Sequence, residues 1–357
     1  MRKLLLAVAA AAVIGLPASA ETADKTALAF VTNSGTKFWR PAEAGVRKAQ
    51  SELPNYKLIF KYTEESSTAT QTRILDDLVA LGTAGIVVSP VDTKSLAGAL
   101  DRIAGQVTLF TTDSDVPNSK RVAYFGSSNT EAGGQAARLL LKALPAGGKC
   151  MGFIGLLQVA NAENRIAGVR EVLKGSNIEL VDVLADDFDK TRAKRNVVDT
   201  LAARPDINCM VGFYDYNTPL ILEALRDAGK LGQVKIVAFD EDPATLGGVK
   251  DGTVVGTIVQ QAYEWGYLGM TALAKYIGGK KSVIPADGRI ILPTRIIDKD
   301  NVDAYWTELK AMLCCLPTAR QMTRYRTARC HLTRGGCSGR SRRERHFLWL
   351  QRRPSLR

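Results

Sequence analysis

Histidine is missing from residues 21–313, and the two histidines of the chain, His331 and His346, lie beyond them. Histidine is the usual general base of hydrolases and the commonest metal ligand, so its absence argues against both kinds of site. The same residues contain no G-x-S-x-G nucleophile motif. They also lack a Walker A phosphate loop, because the Gly-Gly-Lys at residues 147–149 has no earlier glycine. We therefore expect a protein that is not an enzyme and that holds no cofactor and no metal ion.

Long hydrophobic runs are confined to the start of the chain. Arg2 and Lys3 precede an apolar run over residues 4–16, and an Ala-Ser-Ala cleavage site follows at residues 18–20. The run is too short to span a membrane, so the pattern predicts a secretory signal peptide over residues 1–20. No cysteine directly follows the run, which excludes lipid attachment to a processed N-terminal cysteine. We expect a soluble, exported protein that begins near Glu21.

Cysteine is scarce as well, with only Cys150 and Cys209 among residues 21–313. Each begins a predicted buried apolar strand, which is typical of an inert, buried thiol. In an oxidising compartment, a disulfide between neighbouring strands is the alternative.

Positive charge is abundant in the whole chain but not in its long central part. The formal net charge is +12, of which residues 314–357 contribute +11 and residues 1–20 contribute +2. Residues 21–313 therefore carry a net charge of −1. A basic footprint for DNA or RNA is missing from them, and we expect no nucleic-acid partner.

Residues 314–357 differ in composition from the rest, with twelve arginines, no lysine, one acidic residue and four of the six cysteines. We interpret this segment as an aberrant, unstructured Arg/Cys-rich tail, such as the product of a frameshift past the natural stop codon. The alternative is a genuine basic tail that binds zinc through Cys330, His331 and Cys337, although their spacing fits no standard zinc module.

Apolar, β-branched runs alternate with helical patterns along the central part. The predicted strands are Ala27–Val31, Leu58–Tyr62, Gly85–Ser89, Val107–Thr111, Val122–Phe125, Cys150–Ile154, Glu179–Leu184, Cys209–Phe213, Lys235–Phe239 and Val254–Val259. Such alternation indicates parallel sheets with helices on both faces. Because open sheets of ten strands are uncommon, we divide the strands into two sets of five. The sequence predicts an α/β fold with two doubly wound parallel-sheet lobes.

Polar side chains follow several of these strands at their carboxyl ends, where parallel α/β sheets bind ligands. They include Asp113, Asn161, Arg165, Tyr214, Asn217, Asp240 and Gln260. The first strand leads into a loop with Thr32 and Thr36, which ends in the adjacent aromatics Phe38 and Trp39. Carboxylates, amides and arginine hydrogen-bond hydroxyl groups, and aromatic faces can cover C–H surfaces. This chemistry suits a polyhydroxylated ligand such as a sugar, whereas each residue taken alone fits a structural role equally well.

The chain resembles the periplasmic sugar-binding proteins of ABC importers, in particular the ribose-binding protein group, which has the type I periplasmic-binding fold. The resemblance covers about residues 24–300. It rests on the motifs ALAFVTNSGTKFW, TTDSDVPNSKRVAYFGSSNTEAGG, NAENRIAGVREVL, FDKTRAKRNVVDTL and IVAFDEDPATLGGVKDGTVVGTIVQ. It implies two α/β lobes joined by a three-crossing hinge, which close on a ligand between them.

We place the three crossings near Ser127, Gln261 and Pro285. The N-terminal lobe then comprises residues 24–127 and 262–286, and the C-terminal lobe comprises residues 128–261 and 287–313.

Carried over by motif, the resemblance implies a ligand shell from both lobes. The first lobe would contribute Thr32, Thr36, Phe38, Trp39 and Asp113, and the second Asn161, Arg165, Phe188, Asp240 and Gln260. The chain departs from ribose binders at three places. Ser114 stands where they have arginine, Thr36 replaces an asparagine, and a further asparagine position falls on Tyr214 or is displaced to Asn217. Another pentose, a hexose or a polyol is therefore as good a candidate ligand as ribose.

The resemblance implies a monomeric periplasmic receptor that captures a monosaccharide or polyol and presents it to an ABC permease in the inner membrane. A binder of a nucleoside or an autoinducer on the same fold is the first alternative. A secreted glycosidase that uses Asp113 and Asp240 as a carboxylate pair is the second.

Overall fold

The computed structural model describes residues 25–314. The predicted signal peptide lies outside these residues, as does the predicted tail apart from its first residue. No helix within residues 25–314 combines the length and the apolar character that crossing a membrane requires.

The described residues form strands and helices in alternation. The strands are β1 Thr26–Val31, β2 Tyr56–Lys61, β3 Gly85–Val88, β4 Thr108–Thr112, β5 Ala123–Gly126, β6 Gly148–Ile154, β7 Ile178–Ala185, β8 Cys209–Gly212, β9 Lys235–Phe239, β10 Gly256–Val259, β11 Arg289–Ile291 and β12 Arg295–Ile297. The α-helices are α1 Arg40–Glu52, α2 Thr68–Ala80, α3 Ala97–Ala104, α4 Asn129–Ala143, α5 Ala160–Leu173, α6 Lys190–Ala203, α7 Asn217–Asp227, α8 Pro243–Asp251, α9 Ala262–Ile277 and α10 Val302–Leu313. Short 3-10 helices occupy Lys37–Trp39 and Lys281–Val283.

The strands make two six-stranded sheets with the same pattern of connections. The first has the order β11-β5-β4-β3-β1-β2 and the second the order β12-β10-β9-β8-β6-β7. All pairings are parallel except that of β10 with β12. Apolar clusters cover both faces of each sheet, which explains why central strands such as β3 and β8 are buried along their whole length. The predicted α/β class with two doubly wound parallel sheets is confirmed.

The chain passes from one sheet to the other three times. The first passage lies between β5 and α4, the second between β10 and α9, and the third between β11 and β12. Our prediction placed the third passage near Pro285. The structure moves it to residues 292–294, because Arg289–Ile291 pairs with β5 and so belongs to the first sheet. The sequence Arg-Ile-Ile of β11 and β12 is too short to give an alternating strand pattern.

Two helix pairs approach unusually closely because glycines face the partner backbone. In the first lobe, α1 meets α9, where a Cβ on Gly45 would lie 2.1 Å from the carbonyl oxygen of Tyr263. In the second lobe, α4 meets α5, where a Cβ on Gly133 would lie 2.0 Å from the carbonyl oxygen of Arg165. A Cβ on Gly168 would lie 2.0 Å from the carbonyl oxygen of Thr130, so the α4–α5 contact is reciprocal. These contacts fix the position of α5 in the second lobe.

A disulfide joins two neighbouring strands of the second sheet. Cys150 of β6 and Cys209 of β8 are direct partners in the parallel register, and their sulfur atoms are bonded. Both residues are fully buried. The sequence left two alternatives, inert buried thiols and a disulfide. The structure contains the disulfide.

We expect the disulfide to contribute about 4 kcal/mol to the free energy of unfolding, since it closes a long loop in the unfolded chain. Urea unfolding with and without a thiol reductant measures this contribution. The reductant should lower the unfolding midpoint of the wild type. The double variant Cys150→Ala/Cys209→Ala should unfold at a lower urea concentration and be insensitive to reductant. Equal wild-type midpoints under both conditions would contradict the prediction.

We also expect Gly133→Ala to destabilise the protein by about 1–3 kcal/mol, because the added methyl group must push α5 away from α4. Gly247→Ala is the matched control. Gly247 lies inside α8, and a Cβ there meets nothing within 4 Å, so the higher helix propensity of alanine should stabilise the protein by about 0.5–1 kcal/mol. Chemical denaturation of both variants tests the pair, and equal effects would refute close packing as the cause.

Candidate functional site

A polar cavity lies where the carboxyl ends of strands from both sheets face each other. Ten of the thirteen residues predicted from the sequence line it. These are Thr36, Phe38, Asp113, Ser114, Asn161, Arg165, Phe188, Tyr214, Asp240 and Gln260. The loops involved include those that follow β1, β3, β4 and β6, so the cavity is built from strand ends as in other parallel α/β sheets.

Asp113 directly follows β4 and carries a positive φ of 61°. This left-handed backbone is rare for a residue with a side chain and is held in place by the neighbouring strand. The backbone N–H of Asp113 donates to the Phe125 carbonyl at 3.0 Å, and the Tyr124 hydroxyl donates to the Asp113 carbonyl at 2.8 Å. The carboxylate oxygen Oδ2 accepts hydrogen bonds from Asn33 at 3.1 Å and from Ser89 at 2.9 Å. The carboxyl group is thereby aimed into the cavity.

Asp240 repeats this arrangement in the second lobe. It directly follows β9 with a φ of 64°. Its N–H donates to the Ile258 carbonyl at 2.9 Å, and the Thr257 hydroxyl donates to its carbonyl at 2.6 Å. The Gln260 side-chain amide donates to Oδ1 at 3.1 Å. The two lobes thus present one carboxyl group each from equivalent positions.

Arg165 lies on α5 with 1% of its surface exposed. Its Nε donates to Asn129 Oδ1 at 2.9 Å and its Nη1 donates to the Phe213 carbonyl at 2.7 Å. The guanidinium packs over the rings of Phe239 and Tyr214, at 4.8 and 5.8 Å from the ring centres. These contacts hold the guanidinium fork rigidly at the cavity.

Burial raises the pKa of both carboxyl groups, because a charged carboxylate loses solvation in the cavity. The pKa of Asp240 is raised to about 6 by burial, while Arg165 and the Gln260 hydrogen bond act in the opposite direction. The pKa of Asp113 is also raised by burial, and Arg165, Ser89 and Asn161 lower it in part. Because Arg165 lowers the pKa of both Asp113 and Asp240, its positive charge interacts with one carboxyl group from each lobe.

Aromatic rings form the apolar part of the cavity wall. Phe188 stacks on Tyr214 with ring centres 5.9 Å apart. Phe188 has a φ of 61°, and its N–H donates to Asp186 Oδ1 at 2.9 Å. The Tyr214 hydroxyl donates to Asn161 Oδ1 at 3.3 Å. Phe38 comes from the first lobe.

Thr32 and Trp39 do not reach the cavity. Both are fully buried. The Thr32 hydroxyl donates to the Ser34 carbonyl at 2.7 Å and accepts from the Thr63 N–H at 3.1 Å, so it shapes the loop. Trp39 Nε1 donates to Asn33 Oδ1 at 2.9 Å, and Asn33 in turn donates to Asp113. We predicted both residues at the ligand, and the structure instead places them behind the cavity wall, where they support the loop and Asn33.

Asn217 does not reach the cavity either. Its Nδ2 donates to Asp186 Oδ2 at 3.0 Å, and its Oδ1 accepts from the Tyr214 N–H at 3.0 Å. Asp186 also accepts from the Tyr216 hydroxyl at 2.5 Å. Asn217 therefore fixes the backbone that carries Tyr214, while Tyr214 itself lines the cavity.

The site-residue prediction missed eight residues that line the cavity. They are Asn33, Ser34, Pro90, Val91, Leu156, Val159, Asp215 and Tyr216. Asp215 is the most informative of them, because burial and the neighbouring Asp240 and Asp242 raise its pKa to about 7. Its position between Tyr214 and Tyr216, just after β8, is the sequence feature that could have indicated a place in the cavity wall.

Metal binding is not indicated by the part of the chain that the structure describes. Within residues 25–314, no group of three or more histidine, cysteine, aspartate or glutamate side chains has an arrangement that could hold a metal ion.

Comparison with known proteins gives similar sequences and folds. A D-ribose/D-allose-binding protein from Pseudomonas aeruginosa is 26% identical over 310 residues, which cover 83% of this chain and 97% of that protein. A ribose import binding protein from Salmonella typhimurium is 24% identical over 82% of this chain and 99% of its own length.

Among solved structures, an ABC transporter solute-binding protein from Burkholderia graminis C4D1M in complex with D-arabinose has a TM-score of 0.74 and 27% identity, covering 78% of this chain and 97% of that one. The family model of the periplasmic binding protein domain matches residues 27–281. Because this match spans more than half of the chain, the chain belongs to the periplasmic binding protein family, as its motifs predicted.

Proposed function

We propose that this protein captures a monosaccharide or a polyol between its two lobes and delivers it to the permease of an ABC transporter. The observation that carries the proposal is the pair Asp113 and Asp240, one from each lobe, with the Arg165 fork at the same cavity. A carboxylate accepts hydrogen bonds from two hydroxyl groups, and arginine donates to a third. The relatives named for ribose, allose and arabinose support this ligand class.

Ligand capture by these groups would favour the closed arrangement of the lobes. Asp113 and Ser114 follow β4 of the first sheet, whereas Arg165 lies on α5 of the second lobe and Asp240 follows β9 of the second sheet. A ligand that contacts both sets binds the closed form more tightly than the open form, and that difference in affinity shifts the equilibrium towards closure.

We further propose that the protein performs no chemistry on its ligand. A glycosidase needs one carboxyl group as an acid or base and a second as a nucleophile or base. Here each carboxyl group is tied to donors of its own lobe, Asp113 to Asn33 and Ser89 and Asp240 to Gln260. These hydrogen bonds suit fixed acceptors of hydroxyl groups better than groups that exchange protons.

The proposed location is the periplasm, where a permease in the inner membrane would receive the ligand from a monomeric receptor. The predicted signal peptide over residues 1–20 and the buried disulfide support an oxidising, exported setting.

Isothermal titration calorimetry with pentoses, hexoses, polyols and nucleosides tests the ligand class. We expect at least one sugar or polyol to bind and to be recovered unchanged after prolonged incubation. Binding of a nucleoside without any sugar or polyol would replace the proposed ligand class, and hydrolysis of a glycoside would replace the proposal of a pure receptor.

With a ligand in hand, we expect Arg165→Lys to weaken its binding by about ten- to a hundredfold, because lysine keeps the charge but loses the fork. Arg170→Lys is the matched control, since Arg170 lies on the same helix α5 and is exposed. Calorimetry should show unchanged affinity for the control, with circular dichroism verifying that both variants fold. Equal affinities in the two variants would remove Arg165 from the ligand shell.

A further inference from the structure

A buried hydrogen-bond acceptor without a donor lies next to Asp240 in the cavity. Gln260 uses its amide nitrogen to donate to Asp240 Oδ1. Its own oxygen, Oε1, is buried and has no hydrogen-bond partner, although the residue is only 4% exposed. Asp215 lines the cavity beside it, and no ion pair joins Asp215 or Asp240 to a basic side chain of residues 25–314. This part of the cavity therefore presents two carboxyl groups and an amide oxygen to a ligand.

Positive charge at the cavity does not balance these acids. Arg165 is the one basic residue among those lining the cavity in the described chain, and it also faces Asp113. Three carboxyl groups, those of Asp113, Asp215 and Asp240, thus share one guanidinium.

Charged side chains outside the cavity do not neutralise its excess of carboxyl groups. Lys190 lowers the pKa of Asp215 only weakly compared with burial. Three further cations, Lys37, Arg40 and Lys310, line a neighbouring cavity that shares Asp215 and Asp240. That neighbouring cavity also contains the acids Glu241 and Asp242, and Glu241 Oε2 is buried without a partner. On the remaining side, Asp186 adds a further acid behind Tyr214 and Tyr216.

A neutral sugar would donate hydrogen bonds to these acceptors but would not neutralise their negative charge. Three buried carboxyl groups with a single guanidinium among the residues that line the cavity are costly to keep fully ionised, so one of them tends to hold a proton. This agrees with the raised pKa values of about 6 for Asp240 and about 7 for Asp215. A protonated amino group brings three N–H donors and one positive charge.

We infer that the preferred ligand is a polyhydroxylated amine, an amino sugar or an amino polyol, whose protonated amino group lies between Asp215, Asp240 and the Gln260 amide oxygen. This inference rests on the proposed function and narrows its ligand class. The hydroxyl groups of the ligand contact Asp113 and the Arg165 guanidinium, whose charge acts on both Asp113 and Asp240.

Calorimetry with matched sets of ligands tests the charge directly. Each set contains an amino compound, the parent with a hydroxyl group in its place, and the N-acetyl derivative, which has no charge. The sets are built on glucose, galactose and myo-inositol, so that they separate amino sugars from amino polyols. We expect at least one amino compound to bind about tenfold or more tightly than both neutral members of its set.

The pH dependence provides a second readout. The ligand cation stabilises the ionised carboxylates, and protonation of Asp215 or Asp240 opposes binding. The affinity for the amino compound should therefore rise from about pH 5.5 to about pH 7.5, through the raised pKa values of these groups. The affinity for the hydroxyl parent should not rise with it.

Asp215→Asn should lower the affinity for the amino compound by about tenfold or more and flatten its pH dependence. Asp199→Asn is the matched control, since it removes the same charge from an exposed position of α6 that lines neither cavity. Circular dichroism verifies the folding of both variants.

The outcomes separate this inference from the proposed function. If a neutral sugar or polyol binds as tightly as its amino counterpart, the inferred amino group is wrong while the proposed sugar receptor stands. If no member of any set binds and a nucleoside does, the proposed ligand class itself fails. An unchanged preference for the amino compound in Asp215→Asn would overturn the assigned position of the amino group.

Discussion

The buried guanidinium of Arg165 is the group on which the site depends. A charged side chain that is 1% exposed requires nearby compensation, because its removal from water is costly. The compensation comes from the Asn129 side chain, the Phe213 carbonyl and the Phe239 ring within the second lobe. The carboxyl groups of both lobes then supply the opposite charge. One residue thereby couples the packing of the second lobe to the electrostatics of the whole cavity.

The position of Arg165 is itself a consequence of backbone packing. The carbonyl of Arg165 faces Gly133 of α4, where no side chain would fit. Asn129, which receives the Nε hydrogen bond, lies one turn earlier on the same helix α4. The close α4–α5 contact therefore sets both the height of Arg165 over the sheet and the direction of its side chain. Gly133 therefore determines where the Arg165 side chain lies.

The two lobes use one design for their carboxyl groups. Asp113 and Asp240 follow equivalent strands, have a left-handed backbone, and bond through their N–H groups to the next strand. In each lobe a hydroxyl group on that next strand, from Tyr124 or Thr257, holds the aspartate carbonyl. Such strained backbone persists only where the surrounding structure determines it fully. The same constraint thus aims both carboxyl groups into the space between the sheets.

The sequence predicted most of the fold because buried parallel strands have a strong apolar signal. The ten strands β1–β10 lie within two residues of their predicted bounds, whereas the short edge strands β11 and β12 have no such signal. In the site, residues at the ends of strands were predictable as a set, because parallel sheets gather them at one edge.

Which way each side chain points was not predictable from the sequence. Trp39 turns into the core to donate to Asn33, and Asn217 turns back to Asp186, although each lies in the same strand-end segment as Phe38 or Tyr214, which line the cavity. Side-chain hydrogen bonds decide these directions, and the partner lies six residues earlier for Trp39 and 31 residues earlier for Asn217.

Closure and charge are linked in this architecture. Asp113 approaches the second lobe through Arg165 and Asn161, both of which lower its pKa. Bringing the lobes together therefore adds favourable contacts to the Asp113 carboxylate, whereas burial, the largest influence on the pKa of Asp113, Asp215 and Asp240, opposes the ionisation of all three. The first effect favours closure without a ligand and the second opposes it. A ligand that donates hydrogen bonds to these carboxyl groups would reduce the cost of burying them, and we therefore propose that closure depends on the ligand.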